Sequence, residues 1–587
     1  MTNYTVNSKF NDPFNKVHFG VSISERNQLE EFAKVLRSGA KMVEIDVASV
    51  YGLGGEQGNA ADTIGKTERE AIANLAKTND VDLSVHGPWA INFSGINPQT
   101  GKKEEVYEHF VEREIGTALE FADDISKKTG RENMPVIFHA SSDQFSDPDK
   151  NLIYSFYDQN EAKIIQVTQQ EIDLGIDKNS VSNPEERKRL AMQKFKDIYG
   201  DSFYQEVFEN KDSKKLGFVS DDDKIILTPE GSLAFYKRNR SQQLNQERAS
   251  LNISLRNLEY QQTDLSTRMG SLKTKLSDPK ISADDSNKYQ KEFQKVEREI
   301  ENVKEMSNTL NQKYAELEIA EKNLPNQFIP YDKKAPELAA QGIVKAAMFS
   351  YNNTESKPMI LVENPMSPEM SLSNPKDTAE AVRIAREQFA KELQEKQHLS
   401  LREAERISSN LIGINLDIGH INIFKSYINP KTGQPYSDKD IVEMAKSAGD
   451  YLKRYHLNDN MGNKDSHLPL GQGNAPIKEV YDAMMEKGLD VPAIMEVFGG
   501  LGGLEGGTIQ SLQYMGAPLY GNLPYVSLPA YLGQPYSSIV GDYSAYSNLG
   551  LKQDMFSYGG FSSIFPAVGG GYMENKGNSG FSGAPTA

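Results

Sequence analysis

Short, mostly apolar runs of three to six residues recur along two stretches of this chain, separated by segments whose apolar residues fall at helical spacing. Val17-His18-Phe19-Gly20-Val21 reads as a strand. Ser24 is then placed to cap a helix that carries Leu29, Phe32, Ala33, Val35 and Leu36 and stops at Gly39. Met42 to Ile45 is a second strand, Thr67 to Ala76 a helix, Val81 to Val85 a third strand, Glu104 to Lys128 an amphipathic helix and Val136 to Phe138 a fourth strand. The rhythm returns with a helix over Pro336 to Ser350 and strands at Met359 to Val362, Leu411 to Leu416, Tyr451 to His456 and Ala493 to Glu496. Between these strands lie helices over Asp377 to Lys396, from Ser400, over Asp438 to Ala448 and over Ile477 to Lys487. Eight strands alternating with helices predict an α/β protein, a (β/α)8 TIM barrel with its parallel sheet closed on itself.

Between the two stretches the rhythm breaks. Residues 150–330 are polar and charged, and Leu233 to Lys275 and Asp285 to Asn323 read as two long helices separated by Ser277-Asp278-Pro279. Heptad-like positions, Leu251, Ile253, Leu255 and Leu258 on one and Phe293, Val296, Ile300 and Val303 on the other, predict an antiparallel coiled-coil hairpin over 232–324. The barrel is therefore expected in two parts, 16–149 with strands 1–4 and 331–505 with strands 5–8, around a large α-helical insertion after strand 4. From 506 to 587 the composition turns to Gly, Ser, Pro and Tyr with almost no charge, which predicts a flexible low-complexity C-terminal tail. Two placements of the insertion stay open. One is a lid or docking arm beside the face where the strands end; the other is a spike reached by its own linkers.

The strand endings carry the chemistry. His86, His139, Glu363, Asp417, His456 and Glu496 each close or follow an apolar run, with His420 three residues past Asp417 and Asp465-Ser466-His467 shortly after His456. Five of the eight histidines lie at or just past strand ends, whereas His18, His109 and His398 do not. Any one of these residues reads equally well as a structural histidine or a solvent-facing acid; the repetition of residue type and position points to metal ligation at the carboxyl-end face. The chain has no cysteine, so thiolate sites and disulfides are excluded and a metal must be held by His, Asp and Glu. A net charge of -17 with pI near 5.2 excludes holding nucleic acid by diffuse electrostatics. No apolar run approaches the about eighteen residues of a membrane span, and residues 1–15 lack an apolar signal core, so a cytoplasmic protein without membrane partners is expected.

Read together, His86-Gly87-Pro88-Trp89-Ala90-Ile91-Asn92, Phe138-His139, Val362-Glu363-Asn364, Leu416-Asp417-Ile418-Gly419-His420, His456-Leu457-Asn458-Asp459, Asp465-Ser466-His467, Leu470-Gly471-Gln472-Gly473-Asn474 and Met495-Glu496 resemble the successive motifs of the endonuclease IV family. These are three-zinc apurinic/apyrimidinic endonucleases among the xylose-isomerase-like barrels. The resemblance covers roughly residues 16–145 and 333–500, and the family's nine ligand positions are all filled. It implies one zinc on His86, His139 and Glu363, a second on Glu363, Asp417, His456 and Glu496, and a third on His420, Asp465 and His467, with manganese an alternative ion. It also implies Glu363, Glu496 and Asp417 as the catalytic acids and Trp89 and Asn92 as substrate contacts. One departure is plain: the loop 47–59, where the family carries a DNA-inserting arginine, has neither Arg nor Lys.

The expected function is zinc-dependent hydrolysis of DNA on the 5′ side of abasic sites, as in base excision repair, or of another phosphodiester. A single-metal sugar isomerase or epimerase of the same superfamily is the first rival, since Glu363, Asp417, His456 and Glu496 suit it equally; Asp465-Ser466-His467 separates the two. A barrel-based scaffold is the second, with the helical hairpin as a surface for a protein partner or for self-association.

Overall fold

The computed structural model describes residues 19–23, 28–37, 40, 42–49, 60–89, 91–142, 153–176, 181–209, 216–429, 432–497 and 503–515. These form two compact units, residues 1–151 with 331–587 and residues 152–330.

The first unit is a closed barrel of eight parallel strands: β1 (Phe19–Ile23), β2 (Met42–Asp46), β3 (Asp82–His86), β4 (Pro135–His139), β5 (Met359–Glu363), β6 (Ile412–Asp417), β7 (Leu452–Leu457) and β8 (Ala493–Met495). Each strand hydrogen-bonds its sequence neighbours, and β8 closes onto β1. The strands are nearly continuous apolar runs because both faces are covered, by helices outside and by packed side chains inside. Val21, Val43, Val85, Phe138, Val362, Leu416 and Leu457 are all inaccessible or nearly so. Helix starts follow local chemistry. Asn374 accepts from the Lys376 amide and is followed by Pro375 to open Pro375–Gln397, and Ser400 caps Leu401–Leu411.

The second unit holds two small antiparallel sheets, Ile153–Asp158 with Lys163–Thr168 and Phe328–Pro330, and Ile225–Leu227 between Gln170–Ile172 and Gly217–Val219. From it extends the helical hairpin, Pro229–Leu276 and Ala283–Asn323. Thr228 and Ser282 cap the two helices through the amides of Gly231 and Asp285. The hairpin core follows the expected heptad except at Ile253. Leu244, Leu258 and Leu272, spaced by two heptads, are buried, with Val296 and Ile300 from the partner helix, while Ile253 is 63% exposed.

The boundary expected at residue 506 also moves. Gly503–Tyr514 is a helix, and its Ser511 Oγ accepts from the Leu470 amide at 3.0 Å. Residues 516–587, the rest of the expected tail, lie outside the described residues, as do His18 and residues 50–59 of the loop without Arg or Lys. Among the described residues no helix is long and apolar enough to cross a membrane.

Candidate metal centre

Strand register sets the level of the site. His139 pairs with Glu363 across β4 and β5, Asp417 with His456 across β6 and β7, and Asp46 with His86 across β2 and β3. Side chains of these last residues therefore emerge together at the carboxyl end of the barrel.

Glu363 is the hub, fully buried, with Oε2 3.3 Å from His86 Nε2 and 4.0 Å from His139 Nε2. Its Oε1 lies 3.2 Å from His456 Nδ1, which is also 3.1 Å from Glu496 Oε1. Glu363, Asp417, His456 and Glu496 bring ligand atoms within 4.8 Å of one another, and His420, Asp465 and His467 do the same separately. In that triad His467 Nε2 and His420 Nε2 face Asp465 Oδ2 at 2.9 and 3.3 Å. All nine candidate ligands come together at this end of the barrel. Only the expected grouping of His86 with His139 is looser, since each shares Glu363 with a further imidazole, His456 or His420.

The second nitrogen of three of these rings is fixed by a backbone carbonyl. A carbonyl can only accept, so His86, His420 and His467 must donate Nδ1–H to the carbonyls of Gly87 (2.8 Å), Asn364 (2.7 Å) and Glu496 (3.0 Å). Nε2 is thus the nitrogen turned toward the carboxylates, the one a cation would take once it displaces that nitrogen's proton. His467 has φ +46°, in the left-handed region, which turns its ring back toward Asp465.

Asp417 is aligned by neighbours that the sequence reading quoted without assigning a role. Its Oδ2 accepts from Asn458 Nδ2 at 2.7 Å, and its amide donates to Asn364 Oδ1 at 3.0 Å. Gly419 makes room for this: a Cβ there would lie 1.7 Å from Asn458 Oδ1. Asp459, three residues past His456, is a structural acid. It is buried and accepts from the amides of Asn460, Gly471, Gly473 and Ala475, tying down the glycine-bearing loop.

Burial disfavours charge at every one of these groups, yet the acids and imidazoles perturb one another strongly. Burial would lower the His86 ring, but Glu363, Asp46 and Glu496 lift it to about 10; Asp465 likewise lifts His467 to about 9. His139 goes the other way, to about 3, under burial with the His86 and His420 charges beside it. Burial beside Glu363 raises Glu496 to about 7. Four carboxylates facing four imidazole nitrogens, with His139 beside them, are a donor set suited to zinc or manganese, and these nine residues would hold such ions.

The expected substrate contacts divide. Trp89 is 50% exposed and, with His139, Tyr107, Met366 and Met370, lines a cavity of about 300 Å³ opening at the site. Asn92 is not a contact: it is inaccessible, donating Nδ2–H to the Ile96 carbonyl at 2.9 Å and accepting from the Ser94 amide at 3.1 Å, so its amide is consumed in building the turn after His86. The sequence reading missed Glu44 and Arg454, both buried below the ligands. Their one signal is an ionisable residue two positions before the polar residue near the strand's end, Asp46 or His456.

Fold and site together define a barrel protein equipped to hold divalent cations. The model of the xylose isomerase-like TIM barrel family matches residues 272–517, which contain β5–β8 and seven of the nine candidate ligands, all but His86 and His139. That match covers less than half of the chain; the fold itself is a closed eight-stranded parallel TIM barrel. An uncharacterized protein of Methanocaldococcus jannaschii is 34% identical over 84 residues, 14% of this chain; the chain spans 25% of that relative's length. The crystal structure of a D-tagatose 3-epimerase-like protein is similar at 13% identity with a TM-score of 0.36, covering 85% of this chain and 97% of that one.

Proposed function

We propose that this chain is a metal-dependent phosphodiester hydrolase of the endonuclease IV type, cutting DNA on the 5′ side of abasic sites. The observation that carries this reading is the His420–Asp465–His467 triad, a second ligand group beside Glu363–Asp417–His456–Glu496. One-cation sugar chemistry needs only the latter. Clustered divalent cations, when bound, neutralise phosphate oxygens and make water acidic enough to attack at neutral pH. Glu496, whose carboxylate faces His456 in the same group, would take the proton of that water as its oxygen bonds phosphorus. The bond to the 3′ oxygen of the upstream nucleotide breaks, and that oxygen leaves as a hydroxyl after protonation from solvent. Trp89 offers an exposed ring to a base or sugar beside the scissile bond. With a net charge of -17, DNA affinity must come from the site itself rather than from a basic surface.

A sugar isomerase or epimerase is the second reading. Its support is the pair Glu363 and Glu496, whose Oε1 atoms stand 3.2 and 3.1 Å from the same His456 nitrogen, two carboxylates suited to moving a proton at a carbon beside a carbonyl. Elemental analysis of protein purified without chelator, with an abasic-site oligonucleotide assay on the same sample, separates the two. About three ions per chain with cleavage upholds the hydrolase; about one ion without cleavage favours the isomerase; three ions without cleavage overturns the abasic substrate but keeps the phosphodiester chemistry.

A further inference from the structure

We infer that Glu44 is a positioning residue that turns His456 so that Nδ1, not Nε2, faces the ligand carboxylates, and thereby sets the cation affinity of the Glu363–Asp417–His456–Glu496 group. This rests on that group being a cation site, and not on which reaction it serves.

Glu44 sits in the middle of β2 and is completely inaccessible. Its Oε1 lies 2.9 Å from His456 Nε2 as an ion-pair contact, and both atoms are buried with no hydrogen bond to any other group. A buried polar atom without a hydrogen bond is costly, so the close charge contact is what compensates each atom for its burial. Oε2 accepts from Ser84 Oγ at 2.8 Å and faces Arg454 Nη1 at 3.3 Å. Arg454 is itself buried, two residues before His456 on β7, with Nη2 3.0 Å from Met42 Sδ. The carboxylate is thus gripped from β3 and β7 and presents one oxygen upward to His456.

His456 is the exception among the imidazoles whose hydrogen is fixed. His86, His420 and His467 spend Nδ1 on backbone carbonyls and offer Nε2, whereas His456 offers Nδ1 to Glu363 and Glu496. The reversal follows from Glu44 standing at Nε2. A charged acceptor there also makes the ring a stronger donor to a cation than a carbonyl would. Burying a carboxylate in a barrel interior demands a compensating charge, which explains an arginine where barrels normally carry aliphatic layers.

The test compares two double variants that both remove the buried cation, so that no unpaired arginine remains. Glu44→Gln with Arg454→Met keeps an oxygen for His456 and an amide for Ser84; Glu44→Leu with Arg454→Met keeps neither. Zinc affinity is read by competition with a chromophoric chelator, and folding by circular dichroism of the chelator-treated proteins. The leucine variant is expected to bind one zinc about 10- to 100-fold more weakly, with the glutamine variant between it and wild type, because the amide keeps the ring's orientation but not the charge. Equal affinities overturn the inference. As a measurement that needs no destabilised variant, 15N-histidine spectra of zinc-loaded wild type should show an imidazole bound through Nδ1 whose signal disappears in His456→Asn; binding of that ring through Nε2 overturns it equally. A wild type that takes up no zinc overturns this inference together with the cation site, whereas zinc uptake without phosphodiester cleavage removes only the proposed reaction.

Discussion

His467 and Asp465, two residues apart on one loop, face each other at 2.9 Å through Nε2 and Oδ2, while the other nitrogen of His467 is anchored on the Glu496 carbonyl. The pair needs the left-handed backbone at His467, a conformation that histidine and asparagine adopt more readily than alanine. His467→Asn should therefore keep the loop, lose one bound cation and reduce phosphodiesterase activity by at least about two orders of magnitude, a ligand being worth no less than the outer-shell groups that orient it. His467→Ala should do the same with an added small loss of thermal stability. Metal content by elemental analysis and the melting temperature check both; full metal content in His467→Asn would remove the triad from the mechanism.

The acids of the site hold His86 and His467 protonated when no cation is present. His86 and His467 stand at about 10 and 9, above the ordinary value near 6.5, so the folded metal-free protein binds these protons more tightly than the unfolded chain. Their contribution to stability is complete below pH 6.5 and disappears as pH rises through 9 to 10. Chelator-treated protein should accordingly melt at progressively lower temperature from pH 6.5 to 10, and zinc should remove most of that slope by replacing the protons. Zinc uptake near pH 7 should release protons, measurable by calorimetry in buffers of different ionisation enthalpy. A metal-free melting temperature that does not change over this range would contradict the electrostatic picture of the site.

Gly419 tests how closely the ligand shell is built. Asn458 reaches Asp417 only because residue 419 has no side chain, the built Cβ falling 1.7 Å from Asn458 Oδ1. Gly419→Ala should cost about 1–3 kcal/mol of stability, the usual penalty for overpacking a buried site, and weaken the cation position that Asp417 serves. An alanine variant with wild-type melting and metal content would mean that Asn458 can move aside freely.

What the sequence made legible follows from geometry. A ligand at the end of an apolar run is visible because strand pairing brings the run-ends to one face; this located His86, His139, Glu363, Asp417, His456 and Glu496 before any coordinates. Glu44 was invisible for the opposite reason, lying inside the run that Met42 to Ile45 defines, where only its partner Arg454 on a distant strand explains it. Asn92 misled because an asparagine after a ligand histidine serves a turn as readily as a substrate, and the choice depends on Ser94 and Ile96. Gly503–Tyr514 was hidden by its glycines; its order comes from tertiary bonds, Ser511 to Leu470 and Gln510 to Gln472.

Trp89 separates substrate binding from metal binding. Its ring is half exposed, so Trp89→Ala should leave the fold and the metal content intact. If a base or sugar stacks on it, the variant should lose about 1–3 kcal/mol of substrate affinity, seen as a raised KM with a smaller change in kcat. Unchanged KM for an abasic-site oligonucleotide would move the substrate contact elsewhere.

The helical hairpin can be shortened without touching its base. Leu233 and Leu244 pack with Phe156, Leu324 and Phe328, and Arg248 meets Glu318 at 3.3 Å just beyond them. Everything farther out is held by the hairpin's own pairs, Leu272 with Val296 and Ile300 and Arg268 with Glu292. Replacing residues 249–316 by a short Gly/Ser linker should thus remove a cooperative segment and leave the base folded. All nine candidate metal ligands belong to the other compact unit, so metal content should be unchanged and circular dichroism should lose helical signal only. Activity then reports on the insertion separately: intact metals with lost cleavage would assign the hairpin to substrate or partner engagement, while lost metals would show that the site depends on it, contrary to expectation.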